Sequence, residues 1–187
     1  MERKTVLCVI DVQNDFITGS LANEDAQKKI HNIVNKINSM NPKNCERIIL
    51  TYDTHDSNYL NTREGKKLPV EHCIEDTDGW LIEESVYDAI IAAEERGIKL
   101  AIFKKPTFGS LDMMRYVDTF LRFPCNCDFE ILGFCTDICV ITNALLLKSH
   151  VYEDAAVTVI SDCCAGVTPE THEAALKVMS MCQINVI

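Results

Sequence analysis

The sequence has no uninterrupted apolar run of about 18 residues, the length that a helix needs to cross a membrane. It also lacks an excess of positive charge, because 18 Lys and Arg stand against 28 Asp and Glu for a formal net charge of −10. Sequence-independent binding to nucleic acid and binding to anionic lipid both depend on clustered basic residues. We therefore expect neither a nucleic acid nor a membrane as a partner, and a small molecule as the substrate.

An export signal is missing as well. The chain starts with Met-Glu-Arg-Lys and a short apolar stretch ending at Asp11, without the hydrophobic region and cleavage site of a signal peptide. We expect a cytoplasmic protein whose ten cysteines are reduced. The groups Cys125-Asn126-Cys127 and Cys163-Cys164 are not spaced like the paired C-x₂-C clusters of structural zinc sites. They are expected to fill the core.

The chain has 187 residues and 47% hydrophobic content, enough for one domain, 1–187, with a sizeable core. Short β-branched runs alternate with longer helical patterns. This rhythm predicts an α/β fold with three layers, in which helices cover both faces of a mostly parallel, doubly wound sheet of about six strands. Ligands bind such folds beyond the carboxyl ends of the strands.

The expected strands lie near 6–10, 48–52, 100–103, 129–132, 157–160 and 184–187, and the expected helices near 25–38, 84–96, 111–120, 138–149 and 169–181. Thr168 followed by a proline is typical of a helix start, and Gly97 of a helix stop. Residues 54–79 are rich in polar and turn residues. A loop of this length in a compact domain is usually functional or mobile.

Cys139 follows a predicted strand and opens a predicted helix in the stretch Gly133-Phe134-Cys135-Thr136-Asp137-Ile138-Cys139-Val140. The free N–H groups and the positive dipole at a helix N-terminus favour a thiolate, so we expect a lowered pKa for this thiol. The backbone N–H groups of Cys135 and Cys139 could also hold an oxyanion.

Polar residues follow the other predicted strands at the same end of the sheet: Asp11, Asp53 with His55, and Lys105. We expect them to converge with Cys139 on one cleft. An acid, a lysine and a cysteine suit hydrolysis through a thioester, because the carboxylate accepts the thiol proton and the ammonium stabilises the ion pair. Asp11 is then the base, and Lys104 competes with Lys105 for the role of the lysine.

At these residues the chain resembles the isochorismatase-like cysteine hydrolases, and within them the nicotinamidase/pyrazinamidase branch. The stretch from Val9 to Phe16 resembles the family motif that carries the acid, Lys105-Pro106-Thr107-Phe108 resembles the one that carries the lysine, and Gly133 to Val140 resembles the nucleophile motif. The resemblance implies catalytic roles for Asp11, Lys105 and Cys139. It also implies a cis peptide bond between Phe134 and Cys135.

The resemblance further implies one divalent metal ion held by Asp53, His55 and His72, with Glu64 as an optional fourth ligand. Imidazole and carboxylate ligands suit Zn²⁺, the first choice, and also Mn²⁺ or Fe²⁺. The loop between the two histidines departs from the commoner family sequence.

The function implied is hydrolysis of nicotinamide, or of a closely related small carboxamide, to the acid and ammonia in NAD salvage and pyridine nucleotide biosynthesis. Phe16, Phe108 and Phe134 are candidates to contact the substrate. Alternatives are an isochorismatase-type hydrolase, another small-amide hydrolase, or a redox-sensing thiol protein that uses Cys135 and Cys139. The sequence leaves open whether the chain forms a homo-oligomer.

Overall fold

A computed structural model of the chain describes residues 3–121, 126–152 and 154–187. Its centre is a six-stranded parallel sheet with the strand order β3-β2-β1-β4-β5-β6. The strands are β1 (Lys4–Ile10), β2 (Cys45–Asp53), β3 (Lys99–Lys105), β4 (Cys127–Phe134), β5 (Val157–Ala165) and β6 (Asn185–Val186). The predicted parallel, doubly wound sheet is confirmed.

Six helices connect the strands: α1 (Asn14–Ile17), α2 (Glu24–Ser39), α3 (Glu84–Glu95), α4 (Leu111–Asp118), α5 (Ile141–His150) and α6 (Pro169–Met181). From β1 the chain builds the sheet toward one edge through β2 and β3, and then toward the other edge through β4, β5 and β6. Because such crossovers are right-handed, α2 and α3 lie on one face of the sheet and α4, α5 and α6 on the other. The three predicted layers are confirmed. The sequence did not predict α1 or the 3₁₀ turn Tyr59–Asn61.

Helix ends are set by local chemistry. The Asn23 side chain accepts hydrogen bonds from the N–H groups of Asp25 and Ala26 at the start of α2. Thr168 caps α6 in a capping box with Thr171, and Pro169 follows it, as predicted. Gly97 has a φ of +98° and follows Arg96, the C-cap of α3, which confirms the expected helix stop.

The core lies on both faces of the central strands. The run from Val6 to Ile10 in β1 is completely buried, because β2 and β4 flank this strand and helices cover it above and below. Nine of the ten cysteines lie in the described residues, and Cys127, Cys163 and Cys164 among them are buried. Cys125 lies outside the described residues. Within the part of the chain that the structure describes, no helix is long and apolar enough to cross a membrane.

Candidate active site

Four neighbouring strands deliver polar side chains to one end of the sheet. Asp11 follows β1, Asp53 ends β2, Lys105 ends β3, and Cys139 follows β4. Lys105 Nζ lies 2.6 Å from Asp11 Oδ2 and donates hydrogen bonds to Asp53 Oδ1 at 3.3 Å and to Cys139 Sγ at 3.4 Å. The structure therefore brings the predicted acid, lysine and cysteine into direct contact.

The contacts assign the lysine. Lys105 is 1% exposed among the acid and the cysteine. Lys104 points to the other side of the strand, pairs with Glu75 at 2.5 Å and lies over the Trp80 ring at 4.7 Å. Adjacent strand residues face opposite sides of a sheet, so only one of two consecutive lysines can reach the cleft.

Burial and the neighbouring charges change the pKa values of Lys105 and Asp11. Burial opposes the charged form of Lys105, but the carboxylates of Asp11 and Asp53 and the Cys139 sulfur outweigh it and raise the pKa of the lysine above its ordinary value. Burial raises the pKa of Asp11, although Lys105 opposes this shift. A carboxyl group with a raised pKa is a stronger base once it is ionised.

Cys139 departs from the expectation drawn from the sequence. Burial, and then the Asp11 carboxylate, hold the pKa of this thiol well above its ordinary value, despite the favourable effect of Lys105. The expected lowering of the pKa by a helix N-terminus is therefore wrong. The residue is 4% exposed, so desolvation of a thiolate outweighs the dipole. A thiol of this kind needs a base beside it, which Asp11 supplies.

The cysteine stands in an unusual turn. Residues Thr136–Val140 form a π-helical turn directly before α5, and the N–H groups of Ile138 and Val140 both donate to the Cys135 carbonyl. Such wide turns occur often at functional sites. The peptide bond between Phe134 and Cys135 is cis, as the resemblance implied.

Gly133 allows the nucleophile turn to approach β1. Its φ is +124°, and a Cβ atom here would lie 2.0 Å from the Ile10 carbonyl oxygen. Gly133 of β4 is paired with Ile10 of β1, and Ile10 is the residue before Asp11. Only glycine fits this close backbone contact. Asp11 itself has a φ of +48°, a left-handed conformation that aspartate tolerates better than most residues.

Asp53, His55 and His72 form a group that could hold a metal ion, since one ligand atom of each lies within 4.8 Å of the others. Asp53 Oδ2 lies 3.3 Å from His55 Nε2 and 3.6 Å from His72 Nε2. Nε2 of His55 is buried and makes no hydrogen bond with any described residue. A buried nitrogen without a hydrogen bond is costly unless it is a ligand, so the residues fit a divalent ion.

The surroundings orient these ligands. The other ring nitrogen of His72 hydrogen-bonds the Val70 carbonyl at 2.9 Å, which directs Nε2 to Asp53. Burial opposes ionisation of Asp53, but the two histidines and Lys105 hold its pKa below its usual range. The Tyr59 ring packs against both imidazoles at centroid distances of 4.6 and 4.9 Å. Glu64 Oε1 lies 3.9 Å from His55 Nε2, outside the group of three.

Three side chains that the sequence did not single out hold the predicted site residues in place. The Gln13 amide brackets the Asp53 backbone: its Nε2 donates to the Asp53 carbonyl at 2.9 Å, and its Oε1 accepts from the Asp53 N–H at 2.7 Å. Thr51 donates to Asp11 Oδ1 at 2.6 Å. Asp15 accepts from the Cys73 N–H at 2.7 Å and so ties down the loop beside His72. Of these three residues, only Gln13 and Asp15 could have been noticed in the sequence, because they are polar residues inside an apolar stretch.

The other histidines and Asp137 have partners away from the sulfur. Nδ1 of His172 hydrogen-bonds Thr136 Oγ1 at 2.8 Å, His150 contacts Asp118 at 2.9 Å, and Asp137 accepts from the Val167 N–H. Asp137 therefore connects the nucleophile turn to the loop before α6.

A cleft of about 1400 Å³ opens onto Cys139. Asp53, His72, Phe16 and Phe108 line it, and the Phe16 ring lies 5.8 Å from the His72 ring. Phe134 is 1% exposed and is not among the described residues that line the cleft. Two of the three candidate aromatic residues thus face the space where a substrate would lie.

The family model for the isochorismatase domain matches residues 5–187. The chain belongs to the isochorismatase family. A comparison with curated proteins gives no match.

Solved structures named as nicotinamidases and pyrazinamidases match nearly the whole chain. The nicotinamidase/pyrazinamidase of Bacillus subtilis has a TM-score of 0.81 at 21% identity, with 98% of each chain covered. The pyrazinamidase of Pyrococcus horikoshii, solved in complex with zinc, has a TM-score of 0.74 at 23% identity, with 98% of each chain covered. The pyrazinamidase/nicotinamidase of Streptococcus mutans has a TM-score of 0.81 at 20% identity, with 98% of this chain and 100% of that chain covered. At these identities the matches establish the shared fold.

Proposed function

We propose that this isochorismatase-family protein is a metal-assisted cysteine amidase. It hydrolyses nicotinamide, or a closely related small carboxamide, to the carboxylic acid and ammonia. The observation that carries the proposal is the position of Lys105 Nζ, 2.6 Å from Asp11 Oδ2 and 3.4 Å from the Sγ of Cys139, which lines the cleft. The nicotinamidase and pyrazinamidase names of the matched structures support the choice of substrate.

The first half of the reaction forms a thioester. Asp11 takes the thiol proton of Cys139, and the Lys105 ammonium stabilises the thiolate that results. The sulfur attacks the carboxamide carbon, and the N–H groups of Cys135 and Cys139 donate to the oxyanion. Asp11 then gives the proton to the nitrogen as the C–N bond breaks, and ammonia leaves.

The second half restores the thiol. Asp11, ionised again, accepts a proton from a water molecule that attacks the thioester carbon. The tetrahedral adduct collapses with cleavage of the C–S bond, and the proton returns from Asp11 to the sulfur of Cys139. The acid leaves the cleft. One carboxyl group thus carries the proton in both halves, as the raised pKa of Asp11 favours.

Asp53, His55 and His72 would hold the divalent ion, with Glu64 near enough to contribute after a small movement. Zn²⁺ is the first choice, because the donor set is one carboxylate and two imidazoles, and Mn²⁺ or Fe²⁺ suit the same set. When bound, the ion supplies a Lewis-acid site for a ring nitrogen of the substrate, which orients the carboxamide.

We also propose a wider role. The activity serves NAD salvage in the cytoplasm, and residues 1–187 act as a single domain. Phe16 and Phe108 are proposed to flank the flat ring of the substrate, since both line the cleft.

The test compares substrates of one shape. Nicotinamide and pyrazinamide both carry a ring nitrogen at the position that can reach the metal, whereas benzamide does not. We expect kcat/KM for ammonia release to be at least about a hundredfold higher for the first two, because orientation of the reacting group is worth several kcal/mol. Equal values for nicotinamide and benzamide contradict the metal-anchored orientation. Turnover of isochorismate or of an aliphatic amide alone would assign the chain to another branch of the family.

A further inference from the structure

Asn143 is a fully buried amide that joins two elements of the site. Its Nδ2 donates to the Cys139 carbonyl at 2.8 Å and to the Phe108 carbonyl at 3.1 Å, and its Oδ1 accepts from the Ser110 N–H at 3.0 Å. The residue is 0% exposed. One side chain therefore spans from the nucleophile turn to the segment 106–110 that connects β3 with α4.

These two elements carry different parts of the chemistry. Cys139 belongs to the turn after β4, which lies next to β1. Lys105 ends β3, which lies on the other side of β1 with β2 between them. The 3.4 Å contact between their side chains therefore depends on how the two segments are held together. Gly109 packs closely on α5, because an added Cβ would lie 2.8 Å from Thr142 Cγ2. Asn143 supplies the polar link at this close approach.

We propose that Asn143 is a positioning residue for the nucleophile. It holds the Cys139 carbonyl, and with it the sulfur, at a set distance from Lys105. Asn143 is not among the described residues that line the cleft, so its effect on substrate passes through Cys139. The inference rests on the proposed thioester chemistry and adds a residue that the catalytic set does not contain.

The chain offers two matched controls. The Thr142 hydroxyl donates to the Ile138 carbonyl at 2.6 Å, next to the carbonyl of Cys139, and Thr142→Val removes this bond while it keeps the methyl group that faces Gly109. Ser110 caps α4 by accepting from the Met113 N–H at 3.1 Å. Thr142→Val and Ser110→Ala each remove one side-chain hydrogen bond beside Asn143 and leave the link intact.

The experiment measures kcat, KM and melting temperature for Asn143→Ala and Asn143→Asp beside the two controls. We expect kcat of Asn143→Ala to fall by about tenfold or more, since small misplacements of a reacting group have effects of that order. KM should change less than about threefold, and kcat of both controls should stay within about threefold of wild type. A kcat of Asn143→Ala equal to that of Thr142→Val, at equal folded fraction, overturns the proposal.

Asn143→Asp adds a pH readout that simple packing would not give. The ionised carboxylate faces two carbonyl oxygens, whereas the protonated form regains one donor. The kcat of this variant relative to wild type should therefore rise as the pH falls. A ratio that is independent of pH, measured where both proteins are folded, contradicts a role for the donated hydrogen bonds.

Cys139→Ala separates this inference from the proposed function. An inactive Cys139→Ala beside a fully active Asn143→Ala removes only the role of Asn143. If the wild type releases no ammonia from any amide, the proposed function fails, and alkylation of Cys139 by iodoacetamide still tests the positioning. Peptide mass spectrometry should then show an alkylation rate for Asn143→Ala that differs by about tenfold from that of Thr142→Val. Equal rates would remove Asn143 from the site.

Discussion

Asp53 Oδ1 accepts a hydrogen bond from Lys105 Nζ at 3.3 Å. The other oxygen of the same carboxylate faces His55 Nε2 at 3.3 Å and His72 Nε2 at 3.6 Å. One side chain therefore contacts both the lysine beside the nucleophile and the two candidate metal ligands. The charge of the metal group and the charge of the catalytic group are electrostatically connected through this residue.

Replacing the sulfur should abolish turnover with the fold retained. Cys139→Ala removes only the sulfur of a buried side chain that lies outside the sheet. We expect no measurable ammonia release, while Cys182→Ala, a change at an exposed cysteine, keeps wild-type kcat. The nucleophile assignment is wrong if Cys139→Ala keeps more than about a tenth of wild-type kcat, a barrier difference of about 1.4 kcal/mol.

The buried pair of Lys105 and Asp11 predicts that a second substitution restores stability but not activity. Lys105→Met leaves the buried carboxylates without their cation, which should destabilise the fold by about 3–5 kcal/mol. Adding Asp11→Asn removes one of those charges, so the double variant should be more stable than Lys105→Met alone. Its activity should be no higher than that of either single variant.

Urea unfolding together with ammonia release checks this pair. The Lys28–Asp25 pair, exposed on α2, serves as the control, because water screens it and Lys28→Met should leave the free energy of unfolding close to that of wild type. A double variant that is less stable than Lys105→Met would show that the two side chains do not compensate each other.

Metal content should depend on His72. Purified wild type is expected to carry about one divalent ion per chain, as a single site of three ligands predicts. His72→Ala should lose most of it, whereas His31→Ala, a change in the exposed part of α2, should not. Elemental analysis by mass spectrometry measures both. Equal occupancy in wild type and His72→Ala would exclude the residue as a ligand.

Gln13 should control the metal site without touching the ion. In Gln13→Glu the carboxylate still accepts from the Asp53 N–H, but its second oxygen faces the carbonyls of Asp53 and Trp80. We expect metal affinity to fall about 10–100-fold, as is typical when a partner of a ligand is changed. Chelator competition measures this affinity, and Gln27→Glu, whose amide bonds only the Ile17 carbonyl, is the matched control. An affinity equal to that of the control would leave Gln13 with a purely structural role.

The sheet and the ends of its strands were predictable because β-branched runs and the polar residues that follow them lie close together in sequence. Asp11 and Lys105 meet because parallel strands end at one edge. The contacts of Gln13 and Asn143 depend on distant segments, and a single sequence holds no information on such pairs. The pKa of Cys139 was predicted in the wrong direction, because a dipole can be inferred from position along the chain but burial depends on the packed fold.

The two halves of the site differ in how they are built. Asp11 and Lys105 stand at the ends of β1 and β3, whose spacing is fixed by the ladder of the sheet, and Cys139 lies in the buried turn that follows β4. His55 and His72 stand on the segment between β2 and α3, whose described residues have little regular structure: the 3₁₀ turn and two isolated bridges, His55 with Ile74 and Ile82 with Gln13. The groups proposed to cleave the amide bond are thus tied to the sheet, whereas two of the three proposed metal ligands lie on a loop. A change in that loop would therefore alter the metal group while Asp11, Lys105 and Cys139 keep their places.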